Sequence, residues 1–80
     1  MKEIEEKVNN ILIDKIGILA TQITPDANIV KDLGVDSLDY AELVLEFEQA
    51  FDIKIPDQDA ELLQTVSDAV NYIHTKINEF

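Results

Sequence analysis

Cysteine, tryptophan and arginine are missing from this chain of 80 residues, and glycine and proline occur twice each. Without cysteine there is no disulfide, no thiolate nucleophile and no cysteine-based zinc site, so nothing points to a secreted scaffold and the cytoplasm is the expected compartment. No apolar run is long enough to span a bilayer. The first residues, MKEIEEKVNN, alternate charge with aliphatics. They lack the apolar core of a secretory signal and the acid-poor, arginine-rich look of a transit peptide, and so read as mature protein. Positive charge is also scarce: six lysines face 17 carboxylates, a net charge of -11. Such a surface repels phosphate backbones and anionic membranes, and it steers basic patches on other proteins toward itself.

What is present is a globular balance, 46% hydrophobic against 29% charged residues. A chain this short buries only about 60 to 65% of its unfolded surface, so one thin-cored domain over residues 1–80 is expected, and a monomer.

Ile4, Val8, Ile11, Leu12 and Ile16 recur at helical spacing and Gly17 follows them, which predicts a first helix over about residues 3–16. Residues 18–35 show no sustained period. Their Thr24-Pro25-Asp26 and Gly34 are turn signals, while Ile23, Ile29, Val30 and Leu33 are apolar enough to anchor the segment as a packed loop. A second helix opens near Asp36, a candidate N-cap with Asp39 in the first turn, and ends near Asp52. Pro56 suits the start of a short third helix through DQDAELL, and Thr65 with Asp68 resembles a capping box for a last helix facing inward through Val66, Ala69, Val70, Ile73 and Ile77. No strand pattern and no repeat is visible. The expected fold is all-α, a small bundle of three main helices plus one short one.

On a helical wheel Tyr40, Leu43, Val44, Phe47, Ala50 and Phe51 share one arc, the core face of helix two. Leu38, Ala41 and Leu45 lie opposite, flanked by Glu42, Glu46, Glu48 and Gln49. Scattered exposed leucines are ordinary. An apolar strip rimmed by carboxylates, however, has the composition of a docking face for a partner with a basic rim and an apolar centre.

That strip adjoins an unusual serine, in "DLGVDSLDYAEL" over residues 32–43. A hydrolytic serine needs a base and an orienting group, and the chain offers only His74 and no G-x-S-x-G elbow, so Ser37 is a substrate rather than a catalyst and the protein is not an enzyme. If Asp36 caps the helix, Ser37 takes the first helical position, where free N–H groups and the positive dipole end accept a phosphoryl group. If Ser37 is itself the cap, it has no further role.

The stretch "DLGVDSLDYAELVLEFEQAFDIKIPD" resembles the acyl carrier protein family, and the likeness runs from IEEKV near the start to TVSDAVNYI near the end. In that family the D-S-L serine carries 4'-phosphopantetheine through a phosphodiester. The resemblance implies Ser37 as the attachment site, with Asp36 and Leu38 completing the motif. It implies Leu38, Asp39, Ala41, Glu42, Leu45, Glu46 and Glu48 as residues that meet partner enzymes. These partners would be a phosphopantetheinyl transferase and the fatty acid synthase enzymes and acyltransferases, with basic docking patches. Tyr40, Leu43, Val44, Phe47, Leu63 and Val66 would line a channel sheltering the acyl chain. The absent cysteine fits as well, since the prosthetic group brings the thiol.

Three residues depart from the family's habit. Tyr40 stands where a small Thr or Ser is usual, Ala41 where Val is common, and Gln49 replaces a frequent acidic residue. Two other readings remain open: a carrier specialised for polyketide, lipid A or cell-wall assembly, and an acidic calcium-binding module. Against the latter, no twelve-residue loop has the D-x-D-x-D-G spacing with a closing glutamate, so no specific metal site is expected.

Overall fold

Helix α1, Lys2–Ile16, is set by the i, i+4 spacing of Val8 and Leu12, both fully buried in the computed structural model, which describes residues 2–78. It stops at Gly17, whose backbone takes a left-handed φ of +76° and whose N–H donates to the Ile13 carbonyl at 2.9 Å. Only glycine adopts that conformation without a steric cost, so the stop is written in the sequence.

The connection to the next helix is long but tied down. It holds a short 3₁₀ turn, Ala20–Gln22, that the sequence period does not reveal, with the Leu19 N–H donating to Gln22 Oε1 at 2.8 Å. Further on, Asn28 Oδ1 accepts from the N–H groups of Val30 and Lys31, and Asp32 Oδ2 accepts from the Asn28 N–H at 2.8 Å. These local bonds build a turn that drives Ala27, Ile29, Leu33 and Val35 inward, all of them buried. The segment is also laced to the start of the last helix. The N–H of Ile29 donates to Gln64, that of Val66 to Ala27 and that of Ser67 to Pro25, at 2.8 to 3.0 Å, around an isolated antiparallel bridge between Asn28 and Thr65. A bridge of single residues leaves no alternating pattern to find, which is why the sequence shows none.

Helix α2, Ser37–Phe51, ends at Asp52 in the left-handed conformation, φ 54°. A short polar side chain tolerates that position better than most. Helix α3 is only Asp57–Ala60, shorter than the expected run through Leu63. The N–H groups of Leu62 and Leu63 instead donate to Asp59 and Ala60, tighter turns that swing Leu63 into the core. Helix α4, Val66–Ile77, opens on the expected capping box: the Asp68 N–H donates to Thr65 Oγ1 at 3.0 Å and the Thr65 N–H to Asp68 Oδ2 at 3.1 Å.

Helix α1 packs against both α2 and α4. Phe47, Leu12, Ile29, Leu43 and Ile73 are the largest fully buried side chains, and among the described residues no polar or charged one is buried. Burying one such side chain contributes about 1.5 to 3 kcal/mol, so a handful of them dominates the stability of so small a fold. Three residues expected to pack inward are outside the core: Val30, in the connection ahead of α2, is 51% exposed, and Ala50 and Ile77 lie at helix ends. Ala50 sits at the edge of the inward arc in the last turn of α2 and is exposed. Ile77, the final residue of α4, is 43% exposed and faces a groove at the end of the bundle beside Ile4, Lys7 and Phe51. At a helix end the periodicity continues after the covering neighbour has stopped.

Candidate functional site

The start of α2 is positioned by the buried side chains that precede it. Val35 is buried between the exposed Gly34 and Asp36, and its N–H reaches back to the Ile29 carbonyl. Asp36 then stands in extended conformation and its Oδ1 accepts from the Asp39 N–H at 2.8 Å. The cap is therefore Asp36 and not Ser37. Ser37 is the first helical residue, exposed, with its hydroxyl outside the capping arrangement. Asp36 takes the N–H groups of Asp39 and Tyr40, which leaves those of Ser37 and Leu38 without a partner in the helix, so an anionic group on Ser37 Oγ meets donors and the favourable end of the helix dipole.

Beyond the serine, Leu38 is 71% and Leu45 56% exposed, and Asp39, Ala41 and Glu42 are exposed with them. The other two acids of the expected docking set have partners inside the molecule. Glu46 lies 3.2 Å from Lys15 Nζ of α1, and Glu48 Oε2 accepts from the Ile55 N–H at 2.7 Å. The free part of the face thus runs through Leu38, Asp39, Ala41, Glu42 and Leu45.

The inward residues of α2 do not all border open space. Leu43 and Phe47 are packed solid. A groove of about 380 Å³ lies between α2 and α3, lined by Tyr40, Ala41, Val44, Leu45, Ile55 and Ala60 with the carboxylates of Glu48, Asp57 and Glu61 along it. A second, of about 350 Å³, lies against Tyr40 together with Val30, Lys31, Ala60 and Leu63. Val66 borders neither; it lines a groove of about 270 Å³ with Ile23, Pro25 and Val70. The expected channel set is therefore divided, because helical period tells which side chains point inward but not where their neighbours leave room. Ile55 and Ala60 were missed for the same reason. The proline at position 56 that breaks the chain ahead of a short helix was the only hint that a groove could open there.

Tyr40 itself is half-buried and its hydroxyl hydrogen-bonds the carbonyl oxygens of Ala60, at 2.5 Å, and Leu63, at 2.7 Å. Burial, and after it the Asp68 carboxylate, pushes the phenol above its ordinary pKa. Among the described residues no group of three or more His, Asp or Glu side chains converges as a metal site, and no helix is long and apolar enough to cross a membrane.

Comparison with known proteins bears on this arrangement. Residues 6–73 match a family described as "Phosphopantetheine attachment site". An acyl carrier protein from Akkermansia muciniphila is 53% identical over 70 residues, covering 88% of each chain. Another from Amoebophilus asiaticus is 46% identical over 79 residues, 99% of each. Among solved structures, the thermally stable acyl carrier protein from Enterococcus faecalis superposes with a TM-score of 0.81 at 41% identity, covering 94% of this chain and 95% of that one.

Proposed function

The chain belongs to the acyl carrier protein family, whose members carry and do not catalyse, and from that premise we propose that Ser37 bears 4'-phosphopantetheine and that the protein delivers acyl chains to the enzymes of fatty acid biosynthesis. The single observation that supports this most is the division of labour at the start of α2: Asp36 caps the helix, and the neighbouring serine hydroxyl is exposed and uncommitted. Those residues fit the group. A phosphodiester on Ser37 Oγ would sit beside the N–H groups of the first turn, where its charge is favoured in spite of the net charge of -11. When bound, the group supplies the thiol that this sequence lacks, on which acyl groups are held as thioesters.

The protein's own residues do the rest. Asp36 holds the end of the helix in shape, and Leu38 projects beside the attachment point as the third residue of the motif. Leu38, Ala41 and Leu45 offer an apolar strip, and Asp39 and Glu42 its acidic rim, to a phosphopantetheinyl transferase and then to synthase enzymes and acyltransferases with basic patches. The surplus of carboxylates speeds those encounters, most of all at low salt. In this reading residues 1–80 act as one carrier domain, as a monomer, in the cytoplasm.

Intact mass tests the assignment. Incubation with a phosphopantetheinyl transferase, coenzyme A and magnesium should add one prosthetic group to the wild-type chain and none to Ser37→Ala. An equal gain in the Ser37→Ala protein overturns it.

A further inference from the structure

Tyr40 follows Ser37 by three residues, so both side chains stand on neighbouring positions of the same helix face. Its ring borders two grooves, one between α2 and α3 and the other beside Val30, Lys31 and Leu63. Its hydroxyl has one proton to donate, and two carbonyl oxygens share it, those of Ala60 and Leu63. Ala60 is the last residue of α3. A helix of four residues has little hydrogen bonding of its own, and two side-chain donors tie it to the longer helices: Tyr40 from α2, and Tyr72 from α4, whose hydroxyl donates to Asp59 Oδ2 at 2.6 Å.

We infer that Tyr40 is a specificity-determining residue for the cargo, a wall between the two grooves whose phenolic hydroxyl bolts α3 to α2, so that the carrier favours short acyl chains. The inference rests on the reading of Ser37 as the attachment point. A chain led inward from Ser37 meets the groove of Tyr40, Ala41, Val44, Ile55 and Ala60, whose volume of about 380 Å³ is at the small end for a ligand site. To continue past Tyr40 into the neighbouring groove it must displace the ring and break both hydrogen bonds. Breaking them leaves the half-buried Leu63 carbonyl without its donor, while the Ala60 carbonyl keeps the Leu63 N–H, and that loss opposes the step, whereas each further methylene buried favours it only modestly. The closure therefore yields when the hydroxyl is removed, and the wall when the ring is removed as well.

Two variants separate these roles. Tyr40→Phe keeps the wall and deletes the bolt; Tyr40→Thr deletes both. In the unmodified protein, amide hydrogen exchange at Leu62 and Leu63 should quicken at least tenfold in Tyr40→Phe, because local opening of α3 no longer breaks the phenolic bonds; unchanged exchange would overturn the bolt. Each protein is then loaded, confirmed by intact mass, and given saturated acyl chains of increasing length. For wild type the rise in melting temperature should stop growing after a short chain, for Tyr40→Phe later, and for Tyr40→Thr later still. A common stopping length for all three, or no rise in any of them, overturns the inference while leaving attachment at Ser37 intact. Failure of the wild-type chain to gain mass at all would instead sink the assignment of Ser37. Should Tyr40→Thr fail to fold, the exchange and chain-length results with Tyr40→Phe decide the matter alone.

Discussion

Glu48 accepts a hydrogen bond from the Ile55 N–H through Oε2 at 2.7 Å, and its carbonyl takes the N–H groups of Asp52 and Ile53. One residue thus fastens the turn by which the chain leaves α2 and heads for Pro56. Truncating a charged acceptor in a partly buried hydrogen bond costs about 1 to 2 kcal/mol. Glu48→Ala should therefore lower the urea midpoint clearly, whereas Glu42→Ala, exposed and without such a partner, should stay within about 0.5 kcal/mol of wild type. Equal losses would mean that the Ile55 bond contributes nothing.

Asp36 makes separable demands on its side chain. Its Oδ1 caps α2, and loss of a cap costs about 1 kcal/mol. Asp36→Ala should be destabilised by that amount and Asp36→Asn, which still caps, by little. If the charge of Asp36 also serves recognition by the transferase, loading of Asp36→Asn should fall although its melting curve is close to wild type. Loading that tracks stability across both variants would reduce Asp36 to its structural part.

If partners dock on α2 as proposed, salt separates the contributions of its residues. Glu42→Lys should slow loading by the transferase most at low ionic strength, since its contribution is long-range attraction. Leu45→Ala, which removes an exposed apolar contact, should weaken loading at every salt concentration. If both variants show wild-type kinetics while circular dichroism confirms their fold, the interface lies elsewhere.

Tyr40 carries a pH dependence of known sign. Burial, with Asp68 behind it, raises the phenol's folded pKa above the unfolded value near 10, so the associated stability is fully present below that pH and is lost as the pH rises through the folded value. Urea midpoints of wild type should fall more steeply above pH 10 than those of Tyr40→Phe, and the two should run parallel between pH 7 and 9. Parallel curves throughout would show that the phenol titrates as in the unfolded chain.

With a net charge of -11 on 80 residues, self-repulsion is substantial, and screening should relieve it. Adding salt, or millimolar divalent cation, should raise the melting temperature. A melting temperature indifferent to both would mean that the carboxylates are already balanced locally.

The helix starts and the division of α2 into an inner and an outer face were legible in the sequence. Each rests on residues close together along the chain: a carboxylate three positions from the N–H it caps, a Thr65–Asp68 box, apolar residues at helical spacing. Backbone geometry makes such relations nearly independent of the rest of the molecule. What only the tertiary structure decided are the meetings of distant residues. The Tyr40 hydroxyl finds carbonyls 20 and 23 positions away, Glu46 pairs with Lys15, and Ile29 bonds to Gln64. A backbone carbonyl has no side-chain signature, so nothing in the letters at 60 and 63 marks them as acceptors. The same limit governs the ends of faces: Ala50 and Ile77 obey the helical period and are still exposed, because the period repeats indefinitely while a neighbouring helix covers only its own length.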